Sequence, residues 1–474
     1  MAVFNKLSVG DIVASSGTRV FRKLTTDEPE IALEAGLYDA DDNLVADWDE
    51  LVNTYGLDAV RDYGITSYME ASTNLYGVLK NNTHLSKSTT LVVGGSTVGM
   101  FAFAGCNNLT TIIFSDSVTT IAPATFGECA NLVSVTIGRN VSNLGDGYDK
   151  RMVFLDCPNL KCIKVARGNL YYANDASGVL FNKEKTHLYY APGALNGVYT
   201  IPDGVVSIEK MAFYQSSILT SVIIPASVID IGFRAFSYCY DIASIRVDED
   251  NTFYSSDENG VLFDKEKTTL FVAPKKLVGT YVIPNTVTTI SGVAFIDCPY
   301  LTNIIIPDGV TTIEAAAFQG CSSLVSLTIP DSVTSLDNNM FYRCDNMTSV
   351  VVGNGVTSIG VNMFLYCAKL TTVTLGASVE VIDQYAFSSC PNLTSITIPD
   401  RVTNINRGAF HSCKKMSYVI LPTSVTTIED SAFYNCAGLT DVYYKGTKAQ
   451  WNAISIAGNN SRLTNATIHY NYTD

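Results

Sequence analysis

Twelve cysteines are the residues of this chain best suited to chemistry, and their spacing decides which chemistry is open to them. Zinc sites need clustered ligands such as Cys-x-x-Cys, and the sequence contains no such pair. Instead, seven cysteines recur every 23 residues: Cys298, Cys321, Cys344, Cys367, Cys390, Cys413 and Cys436. The pattern predicts a repeat with buried, reduced thiols. Cys162 lies outside the register and is the best candidate for a reactive thiol.

Catalytic signatures are missing from the sequence. The four histidines, at positions 84, 187, 411 and 469, have no recognisable partner residues, and we interpret them as surface histidines. The segment Gly94–Val98 lacks the last glycine of a nucleophile elbow, and the chain has no H-E-x-x-H, P-loop or G-x-G-x-x-G motif. We therefore predict that the protein is not an enzyme and binds no cofactor.

One acidic segment, Asp39–Glu50, partly fits a calcium-binding loop. Oxygen-bearing side chains occupy positions 1, 3, 5, 9 and 12 of that loop, but Leu44 replaces the glycine required at position 6. Calcium binding stays open as the less favoured alternative. The favoured interpretation is a polar turn before a helix that starts at Asp47, with Asp47 and Glu50 as a capping box.

Each of the seven cysteines follows a phenylalanine by three residues, and the same register continues towards the amino terminus. Twelve units can be indexed by Phe103, Phe126, Phe154, Phe213, Phe236, Phe295, Phe318, Phe341, Phe364, Phe387, Phe410 and Phe433. Within one unit, Ile304 and Ile306 point to one face of a short strand that Pro307 ends. The Ala-Phe-x-x-Cys sequence suits a helical turn. One unit cannot bury its own apolar face, so we predict a solenoid of stacked coils with these phenylalanines and cysteines in the core.

Two inserts of 36 residues interrupt the repeat, near 166–200 and 248–282. The segment 178–185 matches 260–267 almost residue for residue, which indicates tandem duplication of an 82-residue block. Alternating apolar residues predict a hairpin in each insert. The hairpins either bind a ligand, with Tyr189, Tyr190 and Phe271 as candidates, or cover the flank of the solenoid as a structural splint.

The repeat Leu-x-x-Ile-x-Ile-Pro…Val-x-x-Ile…Ala-Phe-x-x-Cys resembles the BspA-type leucine-rich repeats of bacterial surface proteins. The resemblance implies a solenoid of about twelve 23-residue coils over residues 88–440 and a carboxyl-terminal cap over 441–474. It also implies display and adhesion rather than a defined reaction. Residues 1–87 lack the repeat, and we expect a small α+β module there that attaches or caps the solenoid and can support a homo-oligomer.

Composition limits the partners of such a solenoid. The chain of 474 residues has 47% hydrophobic residues, enough for a large core, and a net charge of −14. Nucleic acids and anionic membranes are poor partners for an acidic surface. No apolar segment is long enough to cross a membrane, so we predict no membrane insertion.

Outward strand positions carry a ladder of hydroxyl side chains: Thr111, Ser134, Thr136, Ser326, Thr328, Ser349, Thr372, Thr374, Ser395 and Thr397. Threonine is a common exposed strand residue, so the ladder has an ordinary structural explanation. It also offers a face for a protein or glycan on a cell surface. We select Thr372, Thr374, Ser395 and Thr397 as candidates, with Tyr418 and Tyr443 as aromatic anchors at one end.

The sequence favours a non-enzymatic recognition or adhesion scaffold, and it leaves the setting open. The amino terminus lacks an apolar signal core, which favours a phage virion surface slightly over a bacterial cell surface for extracellular display. A purely structural spacer or fibre protein of a virion is the alternative function.

Overall fold

The computed structural model describes residues 12–15, 19–22, 37–38, 44–46, 90–93, 96–99, 102–107, 109–145 and 153–473. The chain divides into two compact units, Met1–Thr220 with Ser227–Tyr240 and Ser221–Ala226 with Asp241–Asp474. The described residues form a parallel β-solenoid of about 16 turns with a repeat of about 23 residues and little helix. The predicted repeat fold is therefore confirmed.

Most coils contribute one longer strand and one two-residue strand, and within each sheet the strands of neighbouring coils pair in parallel. In the first unit the longer strands are β5 (Thr90–Val93), β7 (Thr111–Phe114), β9 (Ser134–Ile137), β11 (Cys162–Val165) and β15 (Gly197–Thr200). The short strands are β6 (Thr97–Val98), β8 (Thr120–Ile121), β10 (Asn143–Leu144), β16 (Ser207–Ile208) and β18 (Asp230–Ile231). Before them lie the antiparallel pairs β1 (Ile12–Ser15) with β2 (Arg19–Arg22) and β3 (Leu37–Tyr38) with β4 (Leu44–Ala46).

The second unit repeats this arrangement over more coils. Its longer strands are β17 (Leu219–Ile224, which joins this unit at Ser221), β19 (Ser244–Val247), β23 (Gly279–Val282), β25 (Leu301–Ile305), β27 (Ser326–Ile329), β29 (Ser349–Val352), β31 (Thr372–Thr374), β33 (Ser395–Thr397), β35 (Tyr418–Leu421), β37 (Asp441–Tyr444) and β39 (Thr467–His469). Its short strands are β24 (Thr289–Ile290), β26 (Thr312–Ile313), β28 (Ser335–Leu336), β30 (Ser358–Ile359), β32 (Val381–Ile382), β34 (Asn404–Ile405), β36 (Thr427–Ile428) and β38 (Ser455–Ile456).

The count of about 16 turns exceeds the twelve that the phenylalanine register indexes. The difference corresponds to four longer strands, β11, β19, β37 and β39, whose coils lack the indexing phenylalanine. Two of these coils lead into the inserts and two form the carboxyl-terminal end. That end also contains the short helices α1 (Lys448–Trp451) and α2 (Ser461–Thr464).

A stack of phenylalanine rings runs through the core of each unit. All twelve indexed rings are at most 5% exposed. From Phe295 to Phe433 the ring centroids of neighbouring coils lie 5.0–5.7 Å apart with nearly parallel planes. Tyr281 extends this stack, with its ring centroid 5.9 Å from that of Phe295. Each ring therefore buries its faces only because the next coil supplies another ring.

The segment around each phenylalanine differs from the predicted helical turn. It is a run of hydrogen-bonded turns, and wherever both flanking positions are described, left-handed residues lie two positions before and two positions after the phenylalanine. Around Phe318 these are Ala316 (φ 58°) and Gly320 (φ 71°). Left-handed residues cannot continue a right-handed helix. Backbone N–H groups here reach carbonyls of the next coil instead, as in Phe318 N to Met340 O at 3.2 Å.

Both inserts form the predicted hairpins and then join the sheets. The first has antiparallel strands β12 (Tyr172–Asn174), β13 (Leu180–Asn182) and β14 (His187–Tyr190). The second has β20 (Tyr254–Ser256), β21 (Leu262–Asp264) and β22 (Thr269–Val272). β14 pairs in parallel with β16, and β22 does so with β24. Each insert therefore closes a coil of the solenoid, which favours the splint interpretation.

A matching set of buried polar contacts holds each insert in place. The side-chain amide of Asn169 donates to Gly138 O at 2.9 Å, and that of Asn251 donates to Pro225 O at 2.9 Å. Their Oδ1 atoms accept N–H groups of the following segment, at Tyr172 N and Tyr254 N. The duplicated block thus carries its own partners for its buried polar groups.

Candidate functional site

The outward residues of the longer strands in the second unit form two columns, which we call the ligand face. The first column is Thr280, Asn303, Ser326, Ser349, Thr372, Ser395, Tyr418, Asp441 and Thr467. The second column is Val282, Ile305, Thr328, Val351, Thr374, Thr397, Ile420, Tyr443 and His469, and within it Ile420 is buried, at 8% exposure. Strand pairing aligns most neighbours directly, and the 23-residue repeat places Ser395 and Thr397 after Thr372 and Thr374.

The two columns differ in chemistry. The first is mostly hydroxyl-bearing as far as Ser395, which matches the predicted ladder. The second exposes apolar side chains, because Val282 is 58%, Ile305 48% and Val351 44% exposed. Thr372, Thr374 and Thr397 are exposed, whereas Ser395 is half-buried. Apart from the aromatic anchors Tyr418 and Tyr443, the sequence analysis selected threonines and serines and missed the apolar side chains of the face.

The hydroxyl ladder is less regular in the first unit. Thr111 and Ser134 are half-buried. Thr136 is only 7% exposed, so it is not an outward position as predicted. The second unit therefore presents the better face for a ligand.

At its carboxyl-terminal end the ligand face becomes aromatic. Tyr418, Tyr443, His469, Tyr472 and Asp441 form what we call the aromatic cluster. The rings of Tyr418 and Tyr443 lie 5.6 Å apart and are nearly perpendicular, at 88°. The ring of His469 stacks on that of Tyr443, with 4.6 Å between centroids, and the ring centroid of Tyr472 lies 4.9 Å from that of Tyr443. Tyr418 is the most open of these rings, at 38% exposure.

A carboxylate with fixed orientation lies beside these rings. Asp441 Oδ1 is 2.7 Å from His469 Nε2, and the Thr440 hydroxyl donates to Asp441 Oδ2 at 2.8 Å. These two contacts, that from His469 first, lower the pKa of Asp441 below its usual value. The cluster thus combines ring surfaces with hydrogen-bonding groups of defined geometry.

Sequence reasoning found only Tyr418 and Tyr443 in this cluster. Asp441 keeps the 23-residue spacing from Tyr418 but was not selected, whereas His469 was missed because α1 and α2 lengthen the last coil. The step from Tyr443 to its register partner His469 is 26 residues rather than 23. Alignment of the period-two segments 441–444 and 467–469 would have placed them together.

The insert candidates occupy different environments. Tyr189 and Phe271 are half-buried and pack edge to face with Tyr172 and Tyr254, at 6.0 and 5.8 Å. Tyr190 is only 4% exposed, and its hydroxyl donates to Phe154 O at 3.2 Å. Its selection as a ligand contact is therefore corrected: alternation along β14 turns Tyr190 into the core.

The register cysteines are hydrogen-bonded core residues. The thiols of Cys321, Cys344, Cys367, Cys390, Cys413 and Cys436 donate to the phenylalanine carbonyl of the preceding coil, at 3.0–3.2 Å. Ser216, which replaces a cysteine, still donates to Pro192 O. Burial raises the pKa of Cys162 as well, so its thiol is protonated at neutral pH and a poor nucleophile.

The remaining predicted sites show no assembled chemistry or lie outside the described residues. His187 contacts Thr186 and Asn182, and His411 stacks on Tyr434. His84 and most of the segment 39–50 lie outside the described residues. Where the chain is described, no three His, Cys, Asp or Glu side chains are grouped to hold a metal ion. In the same residues, no helix has the length and apolarity to cross a membrane.

Comparisons with known proteins bear on the repeat. The model of a family described as BspA type leucine-rich repeat region, in six copies, matches residues 81–177, 193–260, 275–394 and 380–474. Among curated proteins, no sequence matches this chain.

Several solved structures are similar to this chain. A leucine-rich repeat protein from Eubacterium ventriosum has 24% identity and a TM-score of 0.57, over 74% of this chain and 92% of that one. A leucine-rich cell surface protein from Faecalibacterium prausnitzii has 25% identity and a TM-score of 0.38, over 76% and 86%. A leucine-rich repeat protein from Bacteroides ovatus has 20% identity and a TM-score of 0.39, over 81% and 94%. The first of these supports the solenoid fold.

Proposed function

Because the chain belongs to the family of BspA-type leucine-rich repeat proteins, we propose that it is an adhesion-type recognition scaffold displayed outside the cell. The ligand face is the part that binds. Its in-register columns of mostly exposed or half-buried side chains, on strands held by hydrogen bonds within each of two parallel sheets, are the observation that carries this proposal.

The physical chemistry of the ligand face suits recognition. Side chains on hydrogen-bonded strands have little backbone freedom to lose, so less ordering entropy opposes binding. The apolar column supplies area that is favourable to bury, and the hydroxyl column supplies hydrogen bonds at its edge. Surfaces with this division are typical of protein interfaces, whose apolar centres are surrounded by polar groups.

A protein or glycan on a cell surface is the proposed partner. The virion setting rests on the amino-terminal residues, most of which lie outside the described ones, and it stays a prediction. The same holds for a homo-oligomer formed through residues 1–87. A purely structural spacer predicts that the outward side chains can be changed without loss of attachment.

Cell binding by surface variants tests the proposal. Fluorescently labelled protein is incubated with epithelial cells and with bacterial cells, and attachment is measured by flow cytometry. Val351→Lys with Thr374→Lys places two bulky charges on the ligand face, and we expect attachment to fall at least about tenfold. Thr357→Lys with Thr403→Lys changes exposed residues away from that face and serves as the control.

Two results would contradict the proposal. Wild-type protein that attaches to neither cell type has no such recognition role. Attachment that survives Val351→Lys with Thr374→Lys, in protein that melts normally, excludes the ligand face and favours the spacer.

A further inference from the structure

The aromatic cluster has the geometry of a corner rather than of a flat patch. Tyr418 lies on β35 and Tyr443 on β37, in adjacent columns and adjacent coils. Because their planes are nearly perpendicular, one ring forms a floor and the other a wall. Tyr443 is held from two sides by His469 and Tyr472. The corner is therefore fixed before any ligand arrives.

The groups around this corner suit a ligand rich in hydroxyls. Asp441 accepts hydrogen bonds, and the hydroxyls of Thr397 and Ser395 in the preceding coil donate and accept them. The face of an aromatic ring carries partial negative charge. The C–H bonds on one face of a sugar ring are weakly positive and pack well on such a surface. A pyranose thus matches both the rings and their polar surroundings.

The carboxylates around the cluster favour neutral sugars over anionic ones. The chain carries a net charge of −14, and Asp441 stands within the cluster with Asp400 further along the same end. The imidazole of His469 is already engaged by Asp441 at 2.7 Å, and Asp400 by Lys445 at 3.2 Å. An anionic ligand would meet these carboxylates, and the two cations beside them are already paired with them. A neutral sugar meets no such penalty.

We propose that the aromatic cluster binds a pyranose ring of a neutral oligosaccharide, with Tyr418 as the stacking surface, Tyr443 as the wall and Asp441 as the hydroxyl acceptor. This inference rests on the proposed function, because it names the ligand class of one end of the ligand face. The rest of the oligosaccharide lies along the hydroxyl column towards Ser395 and Thr372.

The alternative role of the cluster is to hold the carboxyl-terminal coil in place. Tyr443 is packed on both sides, so Tyr443→Ala tests stability together with binding. Tyr418 is more open, and its change to Ala or Phe separates the two roles. A cap contact predicts a lower melting temperature with unchanged sugar affinity, whereas a sugar site predicts the reverse.

The experiment uses the full chain on an array of neutral oligosaccharides of glucose, galactose and N-acetylglucosamine, with their sialylated counterparts. The strongest neutral probe is then measured by calorimetry. We expect Tyr418→Ala to weaken it at least about tenfold, Tyr418→Phe to retain most binding, and Asp441→Asn to weaken it. Tyr434→Ala removes an aromatic residue of similar exposure (49%) outside the ligand face and is the control.

The inference is overturned if no neutral probe binds, if sialylated probes bind better, or if Tyr418→Ala binds the neutral probe as wild type does. Its failure is distinguishable from that of the proposed function. If Val351→Lys with Thr374→Lys abolishes cell attachment while every sugar fails to bind, the ligand face recognises a protein, and only the sugar assignment is wrong.

Discussion

At the scale of single residues, the cysteines are core residues that also carry a titratable thiol. Each register thiol in the second unit lies in an apolar ladder and donates to a backbone carbonyl. Burial raises the pKa of Cys298 to about 11 and that of Cys436 to about 12, from 9.0. Ionisation of these thiols is thus much easier in the unfolded chain than in the folded one.

These pKa shifts predict a loss of stability in alkali. Between pH 9 and about 11 the unfolded state binds fewer protons than the folded state, so the free energy of unfolding falls as pH rises. Below pH 9 the contribution is complete. Urea midpoints at pH 8, 9, 10 and 11 measure the effect. Buried tyrosines such as Tyr281, whose pKa is also raised, act in the same direction. The variant Cys298→Ala isolates the contribution of one thiol, because its urea midpoint should fall less steeply with pH than that of the wild type. A midpoint that stays constant to pH 11 would contradict this account.

The stacked phenylalanines make the largest predicted single-residue effect. Phe364 is fully buried, with Phe341 at 5.2 Å and Phe387 at 5.0 Å. We expect Phe364→Ala to lower the free energy of unfolding by about 3–5 kcal/mol, measured by urea denaturation. Phe253→Ala, at an exposed ring of the second unit, is the matched control. A loss within about 0.5 kcal/mol, the scatter of surface changes, would show that the ring does not contribute to the core.

At the scale of elements, each insert is held in place by a hydrogen bond from a tyrosine hydroxyl to an aspartate. The Tyr281 hydroxyl donates to Asp257 Oδ2 at 2.7 Å, and Asp257 Oδ1 accepts the N–H groups of Asn259 and Val261. Tyr199 and Asp175 make the same 2.7 Å contact in the first insert. A tyrosine at the edge of the ring stack thus fastens the hairpin turn of its own insert.

Removal of this hydroxyl tests how much the hydrogen bond contributes to stability. Tyr281→Phe and Tyr199→Phe each leave the ring in place and take away a hydrogen bond to a carboxylate. We expect each to lower the free energy of unfolding by about 1.5–3 kcal/mol, by equal amounts within error. Tyr171→Phe, at an exposed ring, is the control. Wild-type stability in both variants would mean that the hydroxyl contact is not needed.

Some elements could be predicted from the sequence and others could not, for physical reasons. Eleven of the twelve indexed coils follow from Phe-x-x-Cys, because a buried ring and a buried thiol tolerate few other residues. The turn geometry did not follow, since residues as different as Ala316, Asn339 and Tyr366 adopt positive φ. Their left-handed conformation depends on hydrogen bonds to the next coil, and this contact is not visible in local sequence. The aromatic cluster stayed incomplete for a related reason, namely the longer spacing of the last coil.

At the scale of the whole molecule, the carboxyl-terminal end protects the last repeat from solvent. β37 pairs with β35, and β38 pairs with β36. Tyr444 is 1% exposed and packs edge to face on Trp451 of α1. Without this segment the strands of the preceding coil would become open edges above an apolar core.

Truncation tests this protective role. A chain that ends at Thr440 lacks β37 to β39, so we expect a lower melting temperature and concentration-dependent association, measured by light scattering. Lys448→Ala with Arg462→Ala, which changes only surface charges of α1 and α2, is the control. A truncated chain that stays monomeric with unchanged melting would show that the repeats need no terminal cover.

The matched polar contacts of the two inserts have an evolutionary consequence. Asn169 and Asn251 satisfy the backbone within their own blocks, and each block enters and leaves the sheets in the same register. Unequal crossing-over between the two copies can therefore delete or add a whole block without leaving unpaired groups at the junction. The gene is able to vary the length of its product in steps of 82 codons, while the carboxyl-terminal residues stay unchanged.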